Sequence, residues 1–305
     1  MIIISEVERL PAYQFLYFEI PEAFAGRTLG SYLKFGLNLS TGRIRALKKI
    51  QGIWVDGVPV WVNFRIRGGE KLKLMIAPVA QTIIPEPVSL SIIFEDEALV
   101  VVNKPAGMLV HPVKKYQHGT LANGLLKQWR NRGEAASFHP VHRLDRLTTG
   151  LVVVAKNPLI HQQLAVQLEK GRLRRFYLAV CQGAPEKKSG KIGLAIQKPE
   201  TGCKWKAGEH GKPAYTRFRV LQTLPGASLV ALKLFTGRTH QIRIHLANSG
   251  APLWGDPVYG NPDSLIGRPA LHAVRLRFQH PLTGQRLKFQ APIPEDFEGL
   301  LGRFN

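Results

Sequence analysis

The stretch HRLDRLTTGLVVVAKN, residues 142–157, contains one acidic residue, Asp145, in a segment that is otherwise basic, small or apolar. Its second half, LVVVA, has the continuous apolar character of a buried strand, so Asp145 is expected at a strand edge. Arg143 and Arg146 favour the ionised carboxylate over the acid, which suits a nucleophile. An Asp between two Arg residues is equally typical of a structural ion pair. By itself the segment leaves both interpretations open.

The composition of the chain makes a polyanion its expected partner. The chain has 305 residues, of which 45% are hydrophobic, enough for a substantial core and about two domains. Its 42 Lys and Arg residues outnumber 21 Asp and Glu residues, which leaves a net charge of +21. Counterion release favours nucleic acid as the partner, and no basic amphipathic helix or apolar anchor indicates a membrane surface. No stretch approaches the roughly 20 apolar residues of a membrane span, and we expect a cytoplasmic protein.

Basic residues are concentrated between residues 27 and 73, where ten Lys and Arg residues stand against two acidic ones, a net charge of +8. Residues 29–33 have helical spacing, Ser40 can cap a second helix, and Asp56 with Gly57 predicts a hairpin. A solvated helix face would also explain such a cluster. The order of two helices and a hairpin favours a binding surface.

The order of strand and helix signals divides the chain into two domains. Residues 13–76 are predicted to form a small α/β domain, and the proline-containing residues 77–87 a linker. Residues 88–305 contain many short strand signals, with a helix that starts at Asn157 and Pro158. Strands and helices do not alternate strictly, so we predict an α+β fold with a mixed, largely antiparallel sheet and flanking helices.

The N-terminal region resembles the S-four type of RNA-binding domain, which is named after a ribosomal small-subunit protein. The resemblance covers residues 27–76, and its most telling segments are STGRIRALKK, the WVDG hairpin and RGGEKL. It implies that two helices and a hairpin present a basic surface to structured RNA. Arg43, Lys48 and Lys49 are then candidate phosphate contacts, which position RNA without reading its bases.

The nine residues HRLDRLTTG, followed by a buried strand, resemble the signature of the RluA-type RNA pseudouridine synthases, and most of all their RluD-like subgroup. In that family the residue at the position of Asp145 is the nucleophile. Later segments match in the expected order: GRLRRFYLAV, LKLFTGRTHQIRIHLANSGAPLWGDPVYG and LHAVRLRF. The resemblance implies that Tyr177 packs on the target base and can transfer a proton, and that Arg238 pairs with Asp145. Thr239 would cap the short helix that follows.

The same resemblance supplies candidate RNA contacts around Asp145. Arg143 is expected beside it, because residues two apart in an extended segment project to the same side. Its planar cation suits the space that a flipped nucleotide leaves in the RNA stack. Leu271 would line the base pocket, and His142 and Lys104 are further candidate RNA contacts.

The implied activity is the isomerisation of uridine to pseudouridine in structured RNA. The uracil leaves the ribose at N1 and is rejoined through C5, by attack of a carboxylate on the sugar or on the ring, or by elimination. This chemistry implies neither a metal nor a cofactor, and the chain has no GxxxxGK[ST] or GxGxxG motif. Ribosomal RNA is favoured over transfer RNA, and the oligomeric state is not indicated. The alternative is a non-catalytic RNA-binding or ribosome-assembly protein, with a metal-dependent nucleic-acid hydrolase third.

Overall fold

The computed structural model describes residues 13–77, 81–199 and 204–304. The helices are α1 (Leu29–Ser31), α2 (Thr41–Lys49), α3 (Leu121–Asn131), α4 (Pro158–Glu169), α5 (Gln241–Asn248) and α6 (Glu295–Gly302). The strands are β1 (Gln14–Glu19), β2 (Ile53–Val55), β3 (Val58–Pro59), β4 (Lys71–Ile76), β5 (Ser91–Glu95), β6 (Leu99–Lys104), β7 (His139–Pro140), β8 (Thr149–Ala155), β9 (Arg174–Gln182), β10 (Ser189–Gly193), β11 (Ile196–Gln197), β12 (Lys206–Ala207), β13 (Tyr215–Leu224), β14 (Ala227–Leu234), β15 (Leu271–Gln279) and β16 (Arg286–Gln290).

The N-terminal region forms a four-stranded antiparallel sheet in the order β1-β4-β2-β3. The predicted hairpin is confirmed, with Asp56 and Gly57 both at positive φ between β2 and β3. Ser40 caps α2 as expected, since its hydroxyl accepts from the backbone N–H of Arg43. The first predicted helix is present but irregular: three α-helical residues are followed by a π turn at Tyr32–Gly36.

The larger sheet has the strand order β10-β13-β14-β9-β15-β8-β6-β5, with β16 beside β15 and β7 beside β8. Among these neighbours, β8 and β15 run parallel and the other pairs are antiparallel. Strand β8 is apolar along its length because both of its faces are buried. The predicted α+β fold with a largely antiparallel sheet is confirmed. In the described ranges, none of the helices has the length and apolar character needed to cross a bilayer.

One continuous cluster of buried hydrophobic side chains joins the two sheets. Its members come from β1, β2 and β4 and from the face of the larger sheet that α4 covers. Gln162 of α4 donates to the carbonyl of Asn38 (2.7 Å), and Asn157 donates to Gln14 Oε1 (2.9 Å). The small sheet is therefore docked against the larger one. The domain boundaries at 13–76, 77–87 and 88–305 stay a prediction, and residues 78–80 of that linker lie outside the described ranges.

Candidate active site

Asp145 lies in the loop between β7 and β8, in the wall of a pocket of about 930 Å³. Its Oδ2 is 3.7 Å from Nη1 of Arg243 and 4.0 Å from Nε2 of His240. Tyr177 from β9 and Leu271 from β15 line the same pocket. The loop before β8, the start of α5 and two central strands thus bring a carboxylate, two basic side chains and an apolar wall to one cavity.

Arg243 on α5 is held in place by Asp256. Its Nε and Nη2 donate to the two carboxylate oxygens of Asp256, both at 2.7 Å. Oδ1 of Asp256 also accepts from the backbone N–H groups of Val258 and Tyr259. Although burial opposes it, the hydrogen bonds and charge of Asp256 raise the pKa of Arg243. The two-pronged bond to Asp256 leaves Nη1 facing Asp145, a geometry that the planar guanidinium allows and an ammonium does not.

The expected pair between Asp145 and Arg238 is wrong. Arg238 lines the pocket, but its Nε donates to the carbonyl of Pro213 at 3.2 Å. In the described part of the chain, the basic side chains within 4.0 Å of the Asp145 carboxylate are Arg243 and His240. Arg238 precedes α5 in a loop, whereas Arg243 lies in the first turn of that helix, which faces the pocket.

His240, and not Thr239 as predicted, is the residue at the N-cap of α5. Its φ of +55° is in the left-handed region, which is uncommon for residues other than glycine. Its Nδ1 lies 3.0 Å from Oη of Tyr259, which donates to the carbonyl of Trp205 at 2.9 Å. Because Oη uses its proton on Trp205, Nδ1 is assigned the ring proton and Nε2 faces Asp145 without one. Burial lowers the pKa of His240, although the charge of Asp145 raises it. The neutral ring can therefore accept a proton at Nε2.

Tyr177 and Leu271 form the apolar wall of the pocket. Both side chains are buried, with exposures of 3% and 4%. Burial raises the pKa of Tyr177, although the nearby charge of Arg175 lowers it. A neutral phenol is therefore favoured, which suits packing against a base better than removal of a proton. Arg143 is exposed at the rim of the same pocket.

Lys104 is not an RNA contact as predicted, because its side chain is fully buried. Its Nζ donates to the carbonyls of Pro105 (2.7 Å), Met108 (2.9 Å) and Arg146 (3.1 Å). These three acceptors match the three N–H groups of an ammonium. Burial lowers the pKa of Lys104 to about 7, while the charge of Asp145 raises it. Lys104 therefore ties the loop after β6 to the loop that carries Asp145.

His142 is also buried, so its predicted RNA contact is wrong. Its Nε2 accepts from the backbone N–H of Val153 at 3.4 Å, and the side chain is 6% exposed. Burial lowers the pKa of His142 to about 3, and the charge of Arg175 lowers it further. A neutral His142 anchors the residues before Asp145 to strand β8.

Gly150 allows the close approach of β8 and β15 beneath the site. Its φ is +111°, and a Cβ at this position would lie 2.4 Å from the carbonyl oxygen of Ala273, its parallel partner on β15. Thr149 Oγ1 on β8 lies 2.8 Å from Nδ1 of His272, which is also on β15. The glycine that ends the TTG motif therefore sets the distance between the Asp145 loop and the strand that carries Leu271.

The three predicted phosphate contacts on α2 differ in exposure. Lys48 and Lys49 are exposed in the last turn of the helix. Arg43 is half-buried, and burial lowers its pKa. Burial also lowers the pKa values of His139 and His161, and the charge of Arg43 lowers both further, so Arg43 lies close to the larger domain. Lys48 and Lys49 are therefore the accessible members of the set.

Comparisons with known proteins identify the class of protein that this fold and pocket define. Residues 98–248 match the family model described as RNA pseudouridylate synthase. The chain is 38% identical to ribosomal large subunit pseudouridine synthase D of Neisseria meningitidis, over 92% of this chain and 80% of the relative. It is also 38% identical to the uncharacterized RNA pseudouridine synthase YhcT of Bacillus subtilis, over 92% of this chain and 94% of the relative.

Solved structures with the same fold include two human proteins. Human RNA pseudouridylate synthase domain containing 4 gives a TM-score of 0.58 at 24% identity, over 70% of this chain and 92% of that chain. Human RNA pseudouridylate synthase domain containing 1 gives a TM-score of 0.53 at 28% identity, over 68% of this chain and 85% of that chain. The chain belongs to the RNA pseudouridylate synthase family and is an isomerase that acts on RNA. The expected activity is confirmed, and the non-catalytic and hydrolase alternatives are set aside.

The sequence analysis missed two residues that line the pocket, Arg243 and His240, and it also missed Asp256, which holds Arg243 in place. A usable signal existed for the first two, since residues three apart on a helix lie on one face. Asp256 is ten or more residues away in a loop, and nothing in its spacing indicates a partner on α5.

Proposed function

We propose that this chain converts uridines of structured ribosomal RNA to pseudouridine in the cytoplasm, with Asp145 as the nucleophile. The observation that carries the proposal is the Asp145 carboxylate, which faces Arg243 inside the pocket. The relative from Neisseria meningitidis is named for the large ribosomal subunit, which favours ribosomal over transfer RNA. A uridine must leave its stack to reach this pocket, at a cost of a few kcal/mol that contacts elsewhere offset.

The reaction breaks the bond between N1 and C1′ and forms one between C5 and C1′. The Asp145 carboxylate can start it by attack on the sugar or on the ring, or by taking a sugar proton in an elimination. In each route the bonding electron pair leaves with the uracil, which turns and bonds C1′ through C5. Any bond that Asp145 formed to the sugar or to the ring breaks again with its electron pair returning to the carboxylate, and a sugar proton taken in the elimination is given back. C5 then loses its proton and N1 gains one, so the product is an isomer and no co-reactant is consumed. His240 Nε2 is the basic atom that the pocket offers beside Asp145.

The other pocket residues have supporting roles in the proposal. Arg243 orients the carboxylate and balances its charge, in the place first assigned to Arg238. Tyr177 and Leu271 hold the flipped base between apolar surfaces. Arg143, exposed at the rim, fills the space that the nucleotide leaves in the RNA.

The N-terminal region is proposed to hold structured RNA as an S-four-like domain. The support is its net charge and the exposure of Lys48 and Lys49 in the last turn of α2. Such contacts add affinity through phosphate neutralisation without base readout.

The substitution Asp145→Asn tests the nucleophile, because the amide keeps the size of the side chain. We expect pseudouridine formation to be lost while the Kd for RNA changes less than about twofold. Glu169→Gln is the matched control, since Glu169 is a second carboxylate that lines the pocket. Turnover by the Asp145 variant, or equal loss in both variants, would contradict the assignment.

The substrate is tested by a map of pseudouridines in total RNA from cells with and without the gene. We expect a ribosomal RNA site to disappear and to return with the wild-type gene but not with Asp145→Asn. Loss of a site in transfer RNA alone would overturn the choice of ribosomal RNA and leave the chemistry of the pocket standing.

A further inference from the structure

The larger sheet has a second accessible face, opposite the pocket. Side chains alternate along β9, so Arg175 and Tyr177 face the pocket while Phe176 and Leu178 face the other side. Helix α6 covers part of that side, packing near Leu178. The remainder is a groove of about 900 Å³ across β10, β13, β14, β9, β15 and the end of β16.

The strand register places cationic and aromatic side chains in rows across this groove. One row consists of paired residues on six neighbouring strands, in the order Lys191, Arg217, Lys233, Phe176, Arg275 and Gln290. In a second row, the backbone carbonyl of Tyr215 accepts from the backbone N–H of Phe235. Further along this row, Arg174 on β9 pairs with Arg277 on β15, which pairs in turn with Lys288 on β16. Neighbouring strands lie about 4.8 Å apart, so the side chains of a row are within reach of one extended ligand. We call these two rows the cationic sheet face.

The cationic sheet face lacks carboxylate partners among the described residues. Within the described ranges, no ion pair joins any of its cations to Asp or Glu, whereas Arg268, Arg303 and Arg132 elsewhere are all paired. Nε of Arg275 is buried and has no hydrogen-bond partner. Burial lowers the pKa of Lys233, and the charges beside it on both neighbouring strands lower it further. Uncompensated positive charge of this density is a site for a polyanion.

Three aromatic rings, those of Phe176, Tyr215 and Phe235, lie among these cations, and two of them are open to solvent. Tyr215 and Phe235 are 40% and 41% exposed. Nζ of Lys191 is 4.4 Å from the centre of the Tyr215 ring, and the Arg277 guanidinium is 5.6 Å from that of Phe176. Rings beside cations suit single-stranded RNA, whose bases can stack while its phosphates are neutralised. A duplex keeps its bases inside and offers phosphates alone.

We propose that the cationic sheet face binds a single-stranded segment of the RNA whose uridine enters the pocket. The proposal rests on the proposed function for the identity of that RNA. Phe235 belongs to both sites, because it lines the pocket and its ring lies 4.9 Å from Nζ of Lys233 in the first row. An RNA strand can therefore pass from the pocket around the end of β14 to the opposite face.

The test is direct binding of a fluorescent twelve-nucleotide oligouridine to the full chain carrying Asp145→Asn, which removes turnover from the measurement. We expect Lys191→Gln with Arg217→Gln to raise Kd about tenfold. The slope of log Kd against log salt should fall by about 1.4, since each neutralised phosphate of a single strand contributes about 0.7. Lys127→Gln with Arg303→Gln removes one Lys and one Arg charge at residues that do not line the groove and should change Kd less than twofold.

A second variant separates stacking from charge. Tyr215→Leu should raise Kd about fivefold and leave the salt slope unchanged, as expected for loss of one stacked base. Equal effects of the two double variants would overturn the proposal, as would weakened binding of a twelve-base-pair duplex alone. If Lys191→Gln with Arg217→Gln left the Kd for oligouridine unchanged but abolished binding of an acidic protein, the face would be assigned to that protein and the proposal would be wrong. These outcomes do not depend on turnover, so they stand whatever Asp145→Asn does to catalysis.

Discussion

Lys104→Met is the substitution that best separates structural positioning from RNA binding. The apolar side chain has similar length, fits a site with no solvent exposure, and removes the bonds from Nζ to Pro105, Met108 and Arg146. The last of these bonds lies one residue after Asp145. The sequence suggested that Lys104 contacts RNA, whereas its burial predicts that it positions the nucleophile.

Two opposing terms decide the effect of Lys104→Met on stability. Each hydrogen bond from a charged donor contributes about 1.5–3 kcal/mol, so the three bonds together favour the native loops by several kcal/mol. A pKa of about 7 in place of 10.5 indicates that the surroundings of the ammonium, chiefly its burial, disfavour the charged form by about 5 kcal/mol. The terms nearly cancel, and we expect the free energy of unfolding to fall by about 2 kcal/mol. The freed carbonyl of Arg146 lets the Asp145 loop move, which should lower kcat about 100-fold.

The assay is pseudouridine formation under single-turnover conditions at pH 6.5, with RNA affinity and urea unfolding measured on the same samples. Lys156→Met is the matched control, because Lys156 is also a buried lysine, paired with Glu95 and Glu134. Its loss should lower the free energy of unfolding by about 3 kcal/mol and leave kcat unchanged.

A folded Lys104→Met protein with wild-type kcat would refute the positioning role. Unchanged kcat with a tenfold higher Kd for RNA would instead restore the direct contact that the sequence suggested. A fall in kcat that Lys156→Met shares would mean that general loss of stability, and not the Asp145 loop, explains the result.

Three further predictions concern backbone fit, pH and charge. Gly150→Ala should lower the free energy of unfolding by more than 3 kcal/mol in urea titrations, because its Cβ would lie 2.4 Å from the Ala273 carbonyl oxygen. The control is Gly183→Ala, at φ +66° in open space, which should lower it by about 1 kcal/mol. The pKa of His142 is lowered to about 3 in the folded protein, against about 6.5 in the unfolded chain. Its contribution to the free energy of unfolding is therefore full above pH 6.5 and is lost as pH falls toward 3. In urea titrations at pH 5, the free energy of unfolding of the wild type should have fallen by about 2 kcal/mol more than that of His142→Gln. Lys48→Gln should lower the salt slope of RNA binding by less than 1 and leave kcat unchanged in the single-turnover assay.

Local pattern was sufficient for most of the fold. The apolar run after Asp145 became β8 because a strand buried on both faces needs no alternation. Asn157 and Pro158 began α4 as expected, since the side chain of Asn157 accepts from two backbone N–H groups there. The π turn at Tyr32–Gly36 was not predictable, because its extra residue per turn leaves no mark in spacing.

Two of the errors at the site share one physical cause, which is that charge was taken as a sign of exposure. Lys104 and His142 were assigned to RNA from their type, yet both are buried and hydrogen-bonded to backbone groups. A buried lysine is recognisable only when its carbonyl partners are known, and these come from two separate loops. Arg238 and Arg243 cannot be distinguished by residue type. The residue at which α5 begins determines which of the two faces Asp145.

Strand alternation also explains how one sheet can serve chemistry on one face and affinity on the other. Tyr177 and Phe176 are neighbours on β9, and Leu234 and Lys233 are neighbours on β14, but each pair divides between the pocket and the cationic sheet face. Because the sheet between the two faces is a rigid hydrogen-bonded layer, changes to exposed side chains on one face leave the backbone of the other in place. Lys191→Gln with Arg217→Gln should therefore raise Kd without lowering kcat at saturating RNA, and a fall in kcat would show that RNA on this face helps to seat the uridine beside Asp145.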